Sequence, residues 1–356
     1  MNKDVVIIGC GFIGNIKAQI WCALGMNVYV YDVDKEKEYT LIQTNTHVQS
    51  FSSYDKNKSP SFVDIATPNS RHGDALVWVS RHIPHPQVIL IEKPICSTHK
   101  EQFLIENTLA LFPATRVFVN ETYYWSEALA WLVDRLEVQN EKPRVIKVNL
   151  SKNRLADVAS GRFFDKELQA YGIEVPHSVA ILQRLGIDVL GSTVKQNIQY
   201  INDIAGADAN QGVHVELLSS NGTIAYLDSF LGDYSVQKET ITPNSLIRSV
   251  VVDTLGERYT IEFDPVEGVA RYTSRITIES TGEVIHIEDN HLMNHMRHIR
   301  DNTVNNMMAK LLSPQNSFDI FSFLSTLART AQVRKLDNME NDFVMGREKD
   351  LICQLK

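Results

Sequence analysis

The sequence has few cysteines and no long apolar run, and each absence excludes a class of protein. The four cysteines, Cys10, Cys22, Cys96 and Cys353, have neither the close spacing of a metal site nor the pattern of a disulfide framework. No apolar stretch reaches the roughly 18 residues that a membrane-spanning helix needs. We therefore expect no membrane segment and a reducing compartment, by default the cytoplasm.

Basic charge and targeting signals are also lacking. The formal net charge is -8 at pH 7, which repels phosphate backbones, so nucleic acid is not an expected partner. Near the N-terminus, Asp4 and Val5 lead directly into an apolar strand, so we expect no secretory signal. Repeats, low-complexity tracts and long linkers are absent from the sequence. The pattern indicates a soluble globular protein whose partner is a small molecule.

The length of 356 residues predicts two domains, because it exceeds the size of a usual single core. Residues 1–122 alternate β-rich runs with helical patterns, which is typical of a doubly wound, parallel Rossmann domain of the α/β class. The first, second and fifth predicted strands are apolar enough to be buried on both faces. The six strands are predicted at 5–9, 28–32, 47–51, 62–67, 88–93 and 117–121, and the clearest helices at 13–24, 70–82 and 99–112.

Residues 123–356 have the pattern of an α+β domain. Beyond Lys142 many alternating strands predict one large, mostly antiparallel open sheet, and an Asn-Gly pair in SSNGT predicts a hairpin between two of them. One helix is predicted at about 177–185. Two long helices are predicted at the end of the chain, at about 290–312 and 317–335.

The stretch VVIIGCGFIGN places three glycines directly after an apolar strand. Gly9 permits a tight turn, Gly11 lets the backbone approach a pyrophosphate, and Gly14 lets a helix pack closely on the strand. The N-terminus of the following helix, beside Phe12 and Ile13, then faces the phosphates. Three spaced glycines also fit a plain strand-to-helix turn, so the surrounding sequence has to decide.

Asp32, at the end of the second predicted strand, favours the dinucleotide interpretation. A carboxylate there accepts hydrogen bonds from both ribose hydroxyls of the adenosine moiety and repels a 2′-phosphate. Val33 follows it and no arginine stands beside it. The sequence therefore favours NAD over NADP, with a simple turn residue as the alternative role of Asp32.

Two further motifs follow the fourth and fifth strands, ATPNSRH and EKP. Together with the GCGFIG loop and the antiparallel second half, they resemble the glucose-fructose oxidoreductase, inositol dehydrogenase and MocA family over nearly the whole chain. The resemblance implies that the threonine-proline loop lies under the nicotinamide riboside. By residue match that loop contributes Thr67, Pro68, Asn69 and His72.

The EKP motif consists of Glu92, Lys93 and Pro94. The resemblance implies a catalytic or substrate-binding Lys93, a cofactor-side Glu92 and a proline that is often cis. The position of Lys93 after the fifth predicted strand agrees with this role, because ligands bind beyond the carboxyl ends of strands in open α/β sheets. A partly desolvated lysine near a cationic nicotinamide loses its proton more easily, which suits proton exchange with a substrate hydroxyl. A surface lysine ending a strand is the alternative.

The family's second signature, Asp-x-x-x-His at a helix start, is matched in part by YGIEVPHSVAIL. His177 fits the family histidine, but Ile173 stands four residues earlier and the nearest acid is Glu174. We expect His177 to exchange the proton together with Lys93. Glu174 is either an active-site acid or a helix-end acid that the dipole of the following helix favours.

Other candidates carry weaker signals. Asn120, Glu121 and Tyr123 follow the sixth strand, where relatives place substrate contacts, and packing is their alternative role. Lys152 and Arg154 end the next strand and suit an anionic or polyhydroxyl substrate, or else form a solvated strand end.

A run of histidines has the spacing of a metal site. Its members lie on one helical face, at His291, His295 and His298, and that spacing could bind zinc. No cysteine lies nearby, so we expect a polar helix face and no metal.

The sequence thus predicts an NAD-dependent oxidoreductase that moves hydride between nicotinamide and a secondary alcohol carbon of a sugar, cyclitol or related polyol. The resemblance also implies a homodimer or homotetramer formed through the open sheet. The alternatives are relatives that use NAD during glycoside cleavage, that reduce C=N bonds, or that act as non-catalytic dinucleotide-binding sensors.

Overall fold

A computed structural model of the chain describes most of its residues. The described ranges are 3–161, 164–202, 211–237 and 240–336. Within them, no helix is long and apolar enough to cross a membrane. Cys353 lies outside the described residues.

The backbone contacts divide the chain into two units, and each unit takes residues from two parts of the chain. The first unit is Met1–Ser126 with Asn290–Ser322, and the second is Glu127–Asp289 with Phe323–Lys356. This division differs from the predicted second domain, 123–356, because the segment from Asn290 to Ser322 packs with the N-terminal part.

The first unit contains the expected parallel sheet. The described part of this sheet has six strands in the order β3-β2-β1-β4-β5-β6, all parallel, which confirms the Rossmann-type prediction. The order reverses beside β1, and such a switch point is where open α/β sheets bind ligands. In chain order the elements are β1 (Asp4–Ile8), α1 (Phe12–Ala23), β2 (Asn27–Tyr31), α2 (Lys35–Thr44), β3 (Val48–Ser50), β4 (Phe62–Ile65), α3 (His72–His82), β5 (Val88–Glu92), α4 (His99–Leu109) and β6 (Arg116–Asn120).

Burial of the strands agrees with the apolar pattern except at β2. All residues of β1 are buried, and so are all but the last of β5. The prediction that β2 is buried on both faces was wrong, because its outward side chains Tyr29 and Tyr31 are only half-buried. Their rings pack on Tyr54 and Trp78 at centroid distances of 4.9 and 4.1 Å, so aromatic packing replaces a full helical cover.

The second unit contains a large open sheet. Its described strands follow the order β16-β15-β14-β13-β7-β10-β9-β8-β17, and neighbours are antiparallel except β7 with β10 and β8 with β17. The elements before the last segment are α5 (Glu127–Gln139), β7 (Val145–Ser151), α6 (Leu155–Ala159), α7 (Ala170–Ile173), α8 (Val175–Arg184), β8 (Thr193–Ile201), β9 (Gln211–Leu218), β10 (Ile224–Phe230), β11 (Tyr234–Gln237), β12 (Thr240–Pro243), β13 (Ile247–Asp253), β14 (Arg258–Glu262), β15 (Thr273–Ile278) and β16 (Glu283–Glu288).

The turn chemistry of this sheet follows the sequence. The Asn-Gly turn joins β9 and β10 as an antiparallel hairpin, and Gly222 adopts a φ of +87° there, which confirms the hairpin prediction. A separate two-stranded hairpin, β11 with β12, was not predicted.

The C-terminal segment departs from the two predicted helices. The first is interrupted, because Asn302 adopts a φ of +57° and the Asn305 side chain accepts the Met308 N–H to begin a new helix. The second ends early, and its last residues form a strand that pairs with β8. The elements are α9 (His291–Arg300), α10 (Asn306–Leu311), α11 (Pro314–Thr330) and β17 (Gln332–Lys335).

Candidate active site

The glycine loop between β1 and α1 is built by contacts between backbone atoms. Gly9 has a φ of +104°, and a Cβ there would lie 2.9 Å from backbone atoms of Ala66 and Thr67. A Cβ on Gly14 would overlap the carbonyl oxygen of Gly9, whereas a Cβ on Gly11 would meet no atom within 4 Å. The loop therefore packs tightly on the protein at Gly9 and Gly14 and leaves open space only at Gly11.

The first turn of α1 has no capping side chain of its own. In this fully described helix, no acidic side chain lies in the first turn and no side chain caps the first amides. Phe12 begins the helix with 66% of its surface exposed, and Ile13 is half-buried. The partial positive charge of the helix end thus faces an open position, which suits a phosphate group.

Asp32 is tied to the glycine loop. One carboxylate oxygen accepts the Cys10 N–H at 2.7 Å and the other accepts the Asp34 N–H at 2.9 Å. The Asp32 N–H in turn donates to Glu38, whose carboxylate also contacts Lys35 at 2.6 Å. A cavity of about 460 Å³ lies beside these groups and reaches Gly11. Asp32 is therefore fixed at the end of β2, next to the open position of the loop.

The threonine-proline loop after β4 is held from below by buried side chains. Asn69 is buried and donates to the Ser97 hydroxyl at 2.6 Å. His72 is fully buried, with its ring nitrogens 3.0 Å from the Ile95 carbonyl and 3.1 Å from the Thr67 carbonyl. Burial lowers the pKa of His72 against the effect of these carbonyls. Its ring thus joins the loop after β4 to the loop after β5, and both nitrogens face protein backbone.

Three neighbouring strand ends present polar groups at one edge of the sheet. Lys93 follows β5, is half-buried, and its peptide bond to Pro94 is cis, as the resemblance implied. Among the described residues, the Thr67 hydroxyl oxygen after β4 and the Asn120 amide oxygen at the end of β6 are buried without a hydrogen-bond partner. A buried polar atom without a partner is costly. These two atoms are therefore suited to a ligand that brings hydrogen-bond donors and acceptors.

A buried ion cluster below these strand ends was not predicted. The Lys17 ammonium lies 2.5 Å from Asp64 on β4 and 2.6 Å from Glu92 on β5, with Lys17 and Asp64 fully buried. Trp21 donates to Asp64 at 2.9 Å, and Asn120 donates to Glu92. Although burial opposes the charged form, the two carboxylates hold the pKa of Lys17 above its ordinary value. The signal was present in the sequence, as a lysine on the apolar face of α1 and an aspartate inside an apolar strand.

The residues after β6 are mainly packed inside the first unit. Glu121 is buried and accepts the Tyr123 N–H at 3.1 Å within its own turn. The Tyr123 ring is buried against His291, with ring centroids 4.7 Å apart. Of these candidates, Asn120 alone has a polar atom left for a ligand among the described residues.

The candidate residues of the second unit form ion pairs. Arg154 donates to the carboxylate of Glu174, and the Lys152 ammonium lies 2.9 Å from Asp157. Glu174 precedes α8 and is buried, but its side chain makes no capping hydrogen bond to the helix. His177 is half-buried in the first turn of α8. Glu174 is thus joined to Arg154 rather than to the helix end.

The histidines of α9 have separate environments. His298 hydrogen-bonds Thr303 at 2.6 Å, and His291 packs on Tyr123. His295 is fully buried, and burial lowers its pKa to about 3. Within the described ranges, no group of three or more histidine, cysteine, aspartate or glutamate residues is arranged to hold a metal ion.

Comparison with known proteins gives one family match, to the N-terminal part of the chain. Residues 3–110 match the model of the GFO_IDH_MocA oxidoreductase family, described as an NAD-binding Rossmann fold. No curated protein matches the chain. Residues 3–110 thus match the Rossmann domain of an oxidoreductase family, which confirms the family resemblance for this part of the chain.

Solved structures share the fold over nearly the whole chain. UDP-N-acetylglucosamine 3-dehydrogenase GnnA from Acidithiobacillus ferrooxidans has a TM-score of 0.65 and 14% identity, covering 92% of this chain and 97% of that one. KijD10, a 3-ketoreductase from Actinomadura kijaniata in complex with TDP-benzene and NADP, has a TM-score of 0.64 and 14% identity. The match covers 94% of this chain and 99% of that one. An oxidoreductase from Agrobacterium radiobacter in complex with NAD+, L-tartaric acid and magnesium has a TM-score of 0.58 and 14% identity. The match covers 93% of this chain and 95% of that one.

The two types of glycine contact predict different effects of alanine. Gly14→Ala should lower the free energy of unfolding by about 1 to 3 kcal/mol, because the new methyl group meets backbone that has no room to move. Gly11→Ala should change stability by less than about 0.5 kcal/mol, since its Cβ enters open space. Urea unfolding of both variants measures the difference, and equal stability would contradict the packing described here.

Proposed function

We propose that the protein is an NAD-dependent oxidoreductase that moves hydride between nicotinamide C4 and a secondary alcohol or ketone carbon of a sugar, cyclitol or related polyol. The observation that carries the proposal is the row of groups at the ends of β4, β5 and β6. It offers the Thr67 hydroxyl, the Lys93 ammonium and the Asn120 amide oxygen at the edge where this fold type binds its cofactor.

The residues of the first unit fit a dinucleotide along this edge. The open backbone at Gly11 and the uncapped start of α1 would hold the pyrophosphate, and Asp32 would accept the ribose hydroxyls of the adenosine half. The unpartnered oxygens of Thr67 and Asn120 would form hydrogen bonds with the nicotinamide half. The bound cofactor would supply hydride transfer, and the protein the orientation and the proton. His72 and Asn69 act indirectly, by holding the loops in place.

The proton exchange is assigned to Lys93 and His177. Both side chains are half-buried, so each keeps access to solvent and to a ligand. An alcohol that loses hydride also loses its hydroxyl proton, and a basic nitrogen at the oxygen takes that proton up. Glu174, held by Arg154, would orient His177 or the substrate.

The charge pairing in the second unit favours a neutral, polyhydroxylated part of the substrate. Lys152 and Arg154 each lie beside a carboxylate, Asp157 and Glu174 respectively. Paired in this way, they offer donors and acceptors side by side, which is what a row of hydroxyl groups needs. One similar structure is named a UDP-N-acetylglucosamine 3-dehydrogenase and another a 3-ketoreductase, which supports this substrate class.

We also propose the wider setting of the activity. Residues 1–122 would serve as the cofactor domain and 123–356 as the substrate domain, with a homodimer or homotetramer formed through the open sheet. Ile224 and Tyr226, on the outward face of β10, leave apolar surface half-exposed for such a contact. Within the described residues, Cys10, Cys22 and Cys96 form no disulfide, which supports the proposed cytoplasmic location.

Cofactor choice follows from Asp32. NAD(H) should bind at least about tenfold more tightly than NADP(H), or about 1.4 kcal/mol, because the carboxylate repels a 2′-phosphate. Asp32→Asn should narrow this ratio, and Asp55→Asn, the same change at an exposed site, should leave it unchanged. Fluorescence titration with both dinucleotides measures the ratio. A preference for NADP in the unmodified protein would refute the role given to Asp32.

The activity itself is tested by screening sugars, cyclitols and their nucleotide-linked forms for reduction of NAD. With a substrate found, Lys93→Met should lower turnover by about a hundredfold or more at saturating substrate and leave NAD affinity almost unchanged, since only the proton exchange is lost. Normal turnover in this variant would make Lys93 structural. Release of a free sugar without net NADH would instead indicate NAD-dependent glycoside cleavage.

Glu174→Gln separates an active-site acid from a structural one. The amide keeps the shape but leaves Arg154 without the charge of its partner, so we expect turnover to fall by about tenfold or more together with a lower melting temperature. Asp157→Asn, which also removes a carboxylate near Arg154, should keep most turnover. Steady-state rates and thermal melts on both variants decide the matter. Unchanged turnover with reduced stability would place Glu174 outside the reaction.

A further inference from the structure

The cluster formed by Lys17, Asp64 and Glu92 has an unbalanced charge. One ammonium faces two carboxylates, at 2.5 and 2.6 Å, so the ionised cluster carries one surplus negative charge. Burial and the neighbouring Glu92 carboxylate raise the pKa of Asp64 above its ordinary value, while the 2.5 Å contact with the ammonium and the hydrogen bond from Trp21 act in the opposite direction and stabilise the carboxylate. Because Glu92 is the last residue of β5, the surplus charge lies directly before Lys93.

The neighbouring histidines do not neutralise this charge. His72 and His295 are both fully buried, and both interact electrostatically with Lys17. Burial lowers the pKa of each, to about 3 for His295. Both rings are therefore uncharged at neutral pH. The nearest compensating group along the chain is Lys93, whose proton is the one that the reaction exchanges.

We infer that the Lys17–Asp64–Glu92 cluster makes the protein bind NAD+ more tightly than NADH, and that Lys17 acts as a positioning residue by holding the Glu92 carboxylate. The inference rests on the proposed function, which places the nicotinamide at the ends of β4, β5 and β6. The oxidised ring carries a positive charge that the reduced ring lacks. A buried negative charge below it therefore favours the oxidised form, and weak screening in the interior preserves the effect.

This preference determines the direction that the site favours. If the oxidised form is bound more tightly, linkage makes the bound reduced form a stronger hydride donor than it is in solution. The favoured reaction is then reduction of a ketone. The carbonyl carbon gains the hydride with its two electrons, the carbonyl oxygen gains a proton from Lys93 or His177, and NAD+ remains.

The test compares the dissociation constants of NAD+ and NADH by titration, without turnover. In the unmodified protein NAD+ should bind more tightly. Glu92→Gln and Asp64→Asn each remove the surplus charge and should each reduce the NADH-to-NAD+ ratio of Kd values by roughly three- to tenfold. Asp64 is buried inside the sheet on β4. A changed ratio in Asp64→Asn therefore cannot result from a lost contact between this side chain and the cofactor. If one variant fails to fold, by circular dichroism, the other still decides.

Glu38→Gln is the matched control. Glu38 is buried and, against the effect of burial, hydrogen bonds from Lys35 and Ser50 hold its pKa below the ordinary value. Its loss beside Asp32 should weaken both forms of the cofactor equally and leave the ratio unchanged.

The possible failures are distinguishable. If neither NAD+ nor NADH binds the unmodified protein, the proposed function is refuted. Equal affinities in the unmodified protein, or a ratio that neither cluster variant changes, refute this inference alone.

Discussion

The close approach of backbone atoms at Gly9 and Gly14 is the constraint on which the first unit depends. Gly9 brings the end of β1 against the backbone that follows β4, and Gly14 brings the start of α1 against the carbonyl of Gly9. These contacts fix where α1 begins and how far it lies from the sheet. The direction of its amide groups therefore follows from packing that only glycine permits.

The loops after β4 and β5 are positioned by polar groups that are buried beneath them. His72 links the loops after β4 and β5, and the Lys17 cluster links α1 to both of those strands. Burying such groups costs free energy, and an apolar core of the same volume is often as stable. What the polar groups add is direction, since a hydrogen bond or ion pair fixes the relative placement of its partners while an apolar contact tolerates sliding. The loops are therefore precise because their supports are polar.

Much of the first unit could be predicted because its signals are local. Apolar runs, glycine spacing and the polar residues after each strand predict the parallel sheet and the groups at its edge. The sequence pattern does not show which buried charges meet, so the Lys17–Asp64 contact was missed although both residues stand out in apolar surroundings. Nor does helical periodicity show which elements a helix packs against, and α9 contacts α1 although it begins only at His291. The residues of β17 were predicted as the end of a helix from their local sequence. Pairing with β8, which the local sequence does not show, outweighs their helical propensity.

The late return of β17 to the large sheet has a consequence for solubility. Without it, the nine residues of β8 would form a long unpaired edge with free backbone donors and acceptors, the kind of edge to which another chain adds. The strand that covers this edge has four residues, two of them Arg334 and Lys335. At the opposite border, β16 begins and ends with glutamate. Both edge strands of the described sheet are thus short, with at most six residues, and carry charged side chains. These features oppose the edge-to-edge addition of further strands.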